Sequence, residues 1–573
     1  VKILRVNLKT KQTEVQDVPK EYLALGGRGL TSKIVLDEVE PTCNALGKNN
    51  KIVIAPGLLS GTSAPSSGRV SIGSKSPLTG GIKESNSGGV VAQQLAKMGI
   101  KAIILEDISD DWSVLKVTSE GISIDTADKI LGKGNYEAGE LLREEYGNKV
   151  GLMTLGQAGE NRYSVSTIAI SDMEGRPARH AGRGGLGAVM GSKKIKAIVI
   201  DPKNAEGITI KDKEAFKDAS KAFTKMLLDH PVCGEGLPTY GSAVLVNILN
   251  ESGGLPTGNF REGRFENAEK ISGETIYDTI VKRKGNPTHA CHPGCVMRCS
   301  QVYNDENGEY LTAGFEYETI WAFGAHCKID NLDAIAKMDR YCDDLGLDTI
   351  DMGVAMGVAM EAGILDFGDH KEAVRIFEEE IYKGTPLGRI FAQGAEFLGK
   401  AYGVTRIPTV KKQSIPAYDP RAVKGVGVTY ATTPMGADHT AGYSVTANIL
   451  NVGGSVDPLK KEGQLDLSRD LQVATAAVDS TGFCLFTAFA ILDNEQALPE
   501  IVNMLNAQYG TELTVADVSE LGKNVLRWEK AFNKEAGFTK ADDRLPEFFD
   551  EDFAPHNVDF GFSGDELDSV LDF

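Results

Sequence analysis

No apolar stretch in the sequence reaches the roughly 18 to 20 residues that a membrane-spanning helix needs. The longest runs, Met352–Met360 and Cys484–Leu492, end at Glu361 and Asp493. Basic residues are in the minority: 61 Lys and Arg against 80 Asp and Glu leave a net charge of −19. That balance argues against wrapping a nucleic-acid backbone, and a protein docking here is expected to bring a basic patch or to pair charges locally. Cysteine is scarce and irregularly spaced, with eight in the chain, so a secreted disulfide framework is not expected. The opening VKILRVNLKTKQ alternates like a strand and lacks the pattern of a signal peptide. Nor is there a tandem repeat of about 20 to 50 residues. A cytoplasmic protein without a transmembrane segment is expected.

What is abundant is glycine, 64 of 573 residues. That is about 11%, against about 7% in ordinary proteins. The glycines cluster between short apolar runs, as backbone-shaping residues do. VKILRVNL, KIVIAP, VSIGS, KAIILE, GISID, VGLMTLG, STIAI and KAIVIDP read as strands separated by turns. Beyond Lys203 the period becomes helical, as in KEAFKDASKAFTKMLLDH and LDAIAKMDRYCDDLG. An α+β chain is expected, with a β-rich domain over 1–203 and mainly helical domains over 204–405 and 406–573. KKQSIPAYDPRAVKGVGVTYATTPMGADHT reads as a loop-rich stretch between helical regions.

The sharpest local signal is HACHPGCVMRCS, which places Cys291, Cys295 and Cys299 within nine residues of one another. Thiolates at that density suit zinc or an iron–sulfur cluster, and a cubane cluster needs four. A structural zinc site, or three core cysteines, is the alternative. Both gaps are of three residues, unlike the usual zinc pair and unlike the three-then-two spacing of radical SAM enzymes. Cys484 is the best candidate for a fourth ligand. It ends the pattern Asp479-x-x-Gly482-Phe483-Cys484, which parallels Asp343-x-x-Gly346-Leu347-Asp348. One such hexapeptide is a helix ending in a glycine cap. Two copies suggest paired loops whose carboxylates accept N–H donors from similar heterocycles.

Glycine clusters at Leu25–Leu30, Ser66–Gly81, Ser85–Gly89 and Arg179–Lys194 are candidate anion nests. Arg28, Arg69, Arg179 and Arg183 would supply charged donors to phosphates. AGRGGLGAVMG lacks the spacing of a dinucleotide fingerprint. Two residues suit proton transfer. Glu318 sits in the apolar GFEYETIWAFGAH, where desolvation would raise its pKa. His439 sits in the loop MGADHTAG, where it has no evident packing role.

Together these pieces resemble the tungsten-dependent aldehyde ferredoxin oxidoreductases, in a divergent bacterial branch. GGRGL, GLLSGTSAPSSGR, SKSPLTG, SNSGG, AGRGGLGAVMGSK, FEYETIWAFGA, DDLGLDTID, AYDPR and DSTGFCLF occur in the family's order, from VKILRVNL to about Glu535. The resemblance implies an N-terminal domain of two β-sheets cradling the cofactor, followed by two mainly α-helical domains. It implies tungsten, or molybdenum, held by two pyranopterins beside a [4Fe–4S] cluster bound by Cys291, Cys295, Cys299 and Cys484. Asp343 and Asp479 would bind the pterins, with Gly346, Leu347, Asp348, Gly482 and Phe483 completing the two loops. Arg69 would lie between cluster and pterin. The backbone carbonyls of Asn86 and His180 would hold Mg²⁺ on the pterin phosphates, beside Gly88, Arg179 and Gly182.

The implied reaction is RCHO + H2O → RCOO⁻ + 3H⁺ + 2e⁻, with Glu318 and His439 as the catalytic pair. Electrons would leave through the cluster to ferredoxin or an iron–sulfur partner subunit. The three-residue first cysteine gap departs from better-known members of the family. Lys337 and Arg340 stand where some relatives have a Glu-x-x-His pair, so no metal-bridged dimer is expected. Ala441 replaces a lysine found in some relatives, which leaves the charge of the substrate pocket open. Two other readings compete. The same cofactors could serve reductive dearomatisation of an aromatic acyl-CoA, or the chain could be a cluster- or zinc-stabilised relay protein without pterin.

Overall fold

The computed structural model describes residues 1–573. The N-terminal region is built from two six-stranded sheets. The first comprises β1 (Lys2–Asn7), β2 (Gln12–Asp17), β3 (Ile52–Pro56), β4 (Val70–Lys75), β5 (Ile82–Ser87) and β6 (Ile100–Glu106), in the order β2-β1-β6-β3-β4-β5. The second comprises β7 (Ser113–Thr118), β8 (Gly121–Thr126), β9 (Gly151–Thr154), β10 (Ile168–Ile170), β11 (Arg179–Ala181) and β12 (Ile195–Ile200), in the order β11-β10-β9-β12-β7-β8. Pairing is antiparallel except for β1 with β6 and β12 with β7. Leu4, Ile54, Ile72 and Ile103 of the first sheet join Leu115, Met153, Ile168 and Ile198 of the second in one core. The strands that alternate least, β5 (IKESNS) and β11 (RHA), are sheet edges that meet each other. Their polar side chains therefore turn toward a site and not into that core.

The rest of the chain is mainly helical. The helix Lys213–Asp229 is capped by Asp212, whose carboxylate accepts from Ala215 N–H at 3.0 Å. It packs against Ala497–Tyr509, far along the chain. One continuous hydrophobic core runs through both helical regions, from Phe216 to Leu571. The helix Thr349–Glu361 is apolar on nearly every side and buried from Ile350 to Met360, as such a helix must be. A Cβ at Gly353 would come within 2.5 Å of Ala322. Only the missing side chain lets the helix Tyr317–Phe323 lie this close, and that helix carries Glu318.

Two local features differ from the sequence expectation. Asn286–His289, Ser300–Asn304 and Tyr310–Ala313 form a three-stranded sheet within the helical part. Its first two strands brace the cysteine segment that lies between them. The stretch read as loop-rich contains the helix Lys424–Thr432, wholly buried, because its glycines pack against Ser444, Pro420 and Phe560.

Candidate functional site

The two parallel hexapeptides end two long helices in the same way. Leu332–Leu345 stops at Gly346 (φ +77) and Gln464–Thr481 at Gly482 (φ +90), both left-handed caps. Each loop is then stitched to the N-terminal region by equivalent backbone bonds. Gly346 C=O accepts from Thr167 N–H at 2.9 Å, and Gly482 C=O accepts from Arg69 N–H at 3.1 Å. Two residues further on, Asp348 N–H donates to Val165 C=O (3.0 Å), and Cys484 N–H donates to Ser66 C=O (2.9 Å). The repeated sequence thus produces a repeated docking geometry.

The loops differ in their carboxylates. Asp343 Oδ1 lies 3.0 Å from His180 Nε2, while its Oδ2 is buried without a partner. Asp479 is held instead by Arg28 Nη1 (3.2 Å) and faced by Asn86 Nδ2 (3.4 Å). Asp348 caps the helix Thr349–Glu361 through Ile350 N–H and Asp351 N–H and receives Arg183 Nε at 3.2 Å. Phe483 is buried against Phe223, with ring centroids 5.3 Å apart.

The Ser66–Arg69 strand start also gathers the cysteines. Ser66 N–H donates to Gly294 C=O (2.8 Å) and Ser66 Oγ accepts from Val296 N–H (3.2 Å), while Ser66 C=O holds Cys484. Gly89 N–H donates to Cys291 C=O at 3.0 Å, and a Cβ at Gly88 would lie 3.1 Å from Cys291 Sγ. Ser66 alone thereby ties the backbone on either side of Cys295 to that of Cys484, 189 positions away (484 against 295). A hydrogen bond from Cys295, with help from His292, holds the Cys291 thiol well below its usual range. The same Cys291 contact, then burial, raises Cys295. Burial raises Cys299, and it pushes Cys484 up to about 11. Negative charge on one sulfur opposes charge on the others, so the set is suited to a shared positive centre.

Two of the four arginines read as phosphate donors are committed elsewhere. Arg28 makes a two-pronged bond to Glu529 (2.8 and 2.8 Å) in addition to meeting Asp479. Arg183 donates to Asp348, to Ala437 C=O and to Ser414 C=O. Their glycine neighbours serve close approach: a Cβ at Gly27 would meet Asp479 C=O at 2.2 Å. Arg69 and Arg179 do line the cavity. Arg69 bonds Asn86 through its Oδ1 (2.8 Å) and its carbonyl (3.2 Å), and Arg179 Nη2 bonds Ser300 Oγ while Nε is buried unpartnered.

A cavity of about 350 Å³ opens between these elements. Arg69, Gly88, Arg179, His180, Gly182, Cys291, Cys299, Cys484, Asp343, Leu347, Asp348, Glu318 and His439 reach its wall. Cys295, Asn86, Gly346, Asp479, Gly482 and Phe483 do not line it. Glu318, in the first turn of its helix, accepts from Ala417 N–H at 3.0 Å through Oε2. Its Oε1 lies 3.2 Å from His439 Nε2 without hydrogen-bond alignment. Burial raises Glu318 to about 8 and lowers His439 to about 4. At neutral pH the carboxyl is mainly protonated and the imidazole neutral.

Sequence reasoning missed several neighbours. Tyr418 and Tyr443 share a hydroxyl–hydroxyl bond of 2.8 Å and flank His439 with ring centroids at 5.7 and 6.0 Å. Glu316, two residues before Glu318, accepts from Ser242 Oγ at 2.5 Å and is raised by burial. Asp339 faces the same cavity and receives Thr312 Oγ1 at 2.5 Å. The Glu-x-Glu spacing across a helix start was a usable signal for Glu316. Tyr418 lies in the stretch read as loop-rich and Tyr443 three residues beyond its end, and neither gave a signal.

Comparison with known proteins places this architecture. Residues 3–202 match the family described as aldehyde ferredoxin oxidoreductase, N-terminal domain, and residues 218–572 match its domains 2 and 3. The tungsten-containing aldehyde ferredoxin oxidoreductase of Pyrococcus furiosus is 38% identical over 98% of this chain and 93% of its own length. That of Thermococcus kodakarensis is 36% identical with the same coverage. In three dimensions the chain is similar to the active site complex BamBC of benzoyl coenzyme A reductase in complex with 1,5-dienoyl-CoA. The TM-score is 0.77 at 19% identity, covering 100% of this chain and 93% of that one, which shows a shared fold. This chain belongs to the aldehyde ferredoxin oxidoreductase family and is an oxidoreductase of that type.

Proposed function

We propose that the protein oxidises aldehydes to carboxylic acids, reversibly, at a tungsten bis-pyranopterin in the described cavity and passes electrons through a [4Fe–4S] cluster. Two observations support the fit of these groups. Cys291, Cys299 and Cys484 line one cavity with Cys295 in contact with Cys291, none of them in a disulfide, and Asp343 Oδ2 is buried without a partner. Cys291, Cys295, Cys299 and Cys484 would hold the cluster. Asp343 and Asp479, with Gly346, Leu347, Asp348, Gly482 and Phe483, would hold the pterins, Phe483 through its backbone alone. The carbonyls of Asn86 and His180, beside Gly88, Arg179 and Gly182, are the proposed magnesium ligands. The Asn86 carbonyl already accepts from the Arg69 guanidinium at 3.2 Å and has a second lone pair for the ion.

When bound, the pterin-held metal would supply two-electron redox chemistry and the cluster held by the four cysteines a one-electron relay. The chain supplies proton handling and orientation. His439, neutral, donates a hydrogen bond to the aldehyde oxygen. Glu318, ionised, takes a proton from the attacking water, with Ala417 N–H keeping its other oxygen in place. Tyr418, Tyr443, Phe486 and Leu245 give the cavity an apolar side, which admits an uncharged aldehyde and excludes bulk water.

The 38% identity to a tungsten-containing aldehyde ferredoxin oxidoreductase, against 19% to the benzoyl coenzyme A reductase complex, favours an aldehyde over an aromatic acyl-CoA thioester. Ferredoxin or an iron–sulfur subunit is the proposed acceptor. Native protein should reduce benzyl viologen with an aldehyde as the sole donor. Failure across an aldehyde panel, with reduced viologen driving loss of an aromatic acyl-CoA instead, would replace this reading with the dearomatising one.

A further inference from the structure

The cofactor cavity does not account for every cluster of ligating side chains. Asp172, Glu174 and His289 each bring one candidate ligand atom to within 4.8 Å of the others, and none of the three lines the cavity. We propose that they form a second, separate metal site for a divalent ion of the zinc type.

The geometry is specific. His289 Nε2 lies 2.9 Å from Glu174 Oε2. Zinc–ligand bonds of about 2.0 to 2.2 Å place tetrahedral neighbours roughly 3.3 to 3.6 Å apart, so this hydrogen-bonded pair needs to open by only about half an ångström to hold one ion. Asp172 is 2% exposed. Its Oδ1 is spent on Glu174 N–H (2.9 Å) and Arg176 N–H (2.8 Å), but its Oδ2 is buried with no donor at all. A buried carboxylate oxygen without a donor is costly. Arg179 offsets part of that charge through space, yet none of its nitrogens bonds Asp172. A cation between Asp172 and the His289–Glu174 pair would take up Asp172 Oδ2, Glu174 Oε2 and His289 Nε2, leaving only His289 Nδ1 buried without a partner.

The donor set fixes the class of ion. One imidazole and two carboxylates suit zinc and its first-row neighbours better than magnesium or calcium. Glu174 is at the surface, its side chain 42% exposed, so ions can enter and a water can complete four ligands. The site would also do structural work. Asp172 and Glu174 lie in the turn between β10 and β11, whereas His289 ends the strand Asn286–His289, opposite Ser300 and two residues before Cys291. A shared ion would pin the N-terminal region to the base of the cysteine loop.

The test uses the full chain loaded with its cluster, so that the cysteines cannot take the probe. Zinc chloride is added, excess is removed by gel filtration, and metals are counted in wild type, His289→Gln and Glu174→Gln. The expected result is about one retained zinc per wild-type chain, and at least about tenfold weaker retention in each variant with iron unchanged. Cobalt in place of zinc should give weak visible bands without thiolate charge transfer. No retained zinc in wild type would overturn the site and leave a plain His–Glu ion pair. Equal retention in all three proteins, or a cobalt spectrum with thiolate bands, would overturn it as well.

Discussion

Replacing Glu318 by glutamine tests the proposed chemistry at one atom. The side chain keeps its size, and an amide oxygen can still accept from Ala417 N–H, but nothing remains that can take a proton. Burial disfavours the ionised carboxyl and raises its pKa to about 8. The base is therefore scarce below that value and abundant above it. About one-tenth of the carboxyls are ionised at pH 7 and about nine-tenths at pH 9. If proton acceptance by Glu318 limits turnover, kcat/KM for an aldehyde rises about tenfold over that interval. His439, held near 4 by burial, stays neutral throughout and adds no limb. The Gln variant should lose roughly 10²- to 10⁴-fold in activity and lose the pH dependence too, while iron and tungsten contents stay at wild-type levels. Steady-state viologen reduction across pH 6 to 10 (roughly two units either side of the pKa) reads both effects. A flat wild-type profile, or a Gln variant that keeps the alkaline rise, would refute the assignment.

Other residues give equally concrete expectations. Cys484→Ala should abolish the EPR signal of a full four-iron cluster although the nearest partner thiol in sequence is Cys299; an intact signal removes Cys484 from the ligand set. Asp343→Ala should lower tungsten and pterin content with the cluster retained, and full tungsten occupancy would contradict its role. Glu529→Ala removes the fully buried carboxylate that pairs with Arg28, whose side chain is 3% exposed, and leaves Asp479 at 3.2 Å as its one remaining acidic partner. Breaking such a buried pair costs about 3 to 5 kcal/mol, measurable as a lowered urea midpoint, and a shift worth under about 1 kcal/mol would show that Asp479 or water compensates Arg28.

Much of this arrangement is readable from residue order because it is local. The strands from VKILRVNL to KAIVIDP show themselves by β-branched runs, and the two glycine-ended helices by a repeated hexapeptide. Strands β2, β5, β7 and β11 escaped notice; three of them have a physical reason, since edge strands need not alternate apolar residues and β5 and β11 point polar groups at the site, whereas β7 lies inside its sheet between β12 and β8. The arginines show the limit of composition. Arg28 and Arg183 sit in glycine-rich segments suited to anions, yet carboxylates more than 150 residues away claim both (Asp479 and Glu529 for Arg28, Asp348 for Arg183). Long-range pairing of that kind leaves no mark on nearby sequence. Tyr418 and Tyr443 meet over His439 only because the surrounding chain folds back.

The most direct test of the account is a diffraction experiment on native protein at the tungsten and iron absorption edges. A single heavy-metal peak beside Glu318 and His439, with iron bounded by Cys291, Cys295, Cys299 and Cys484, is the predicted result. Iron lacking Cys484 as a ligand, or a heavy metal away from the loops of Asp343 and Asp479, would contradict it.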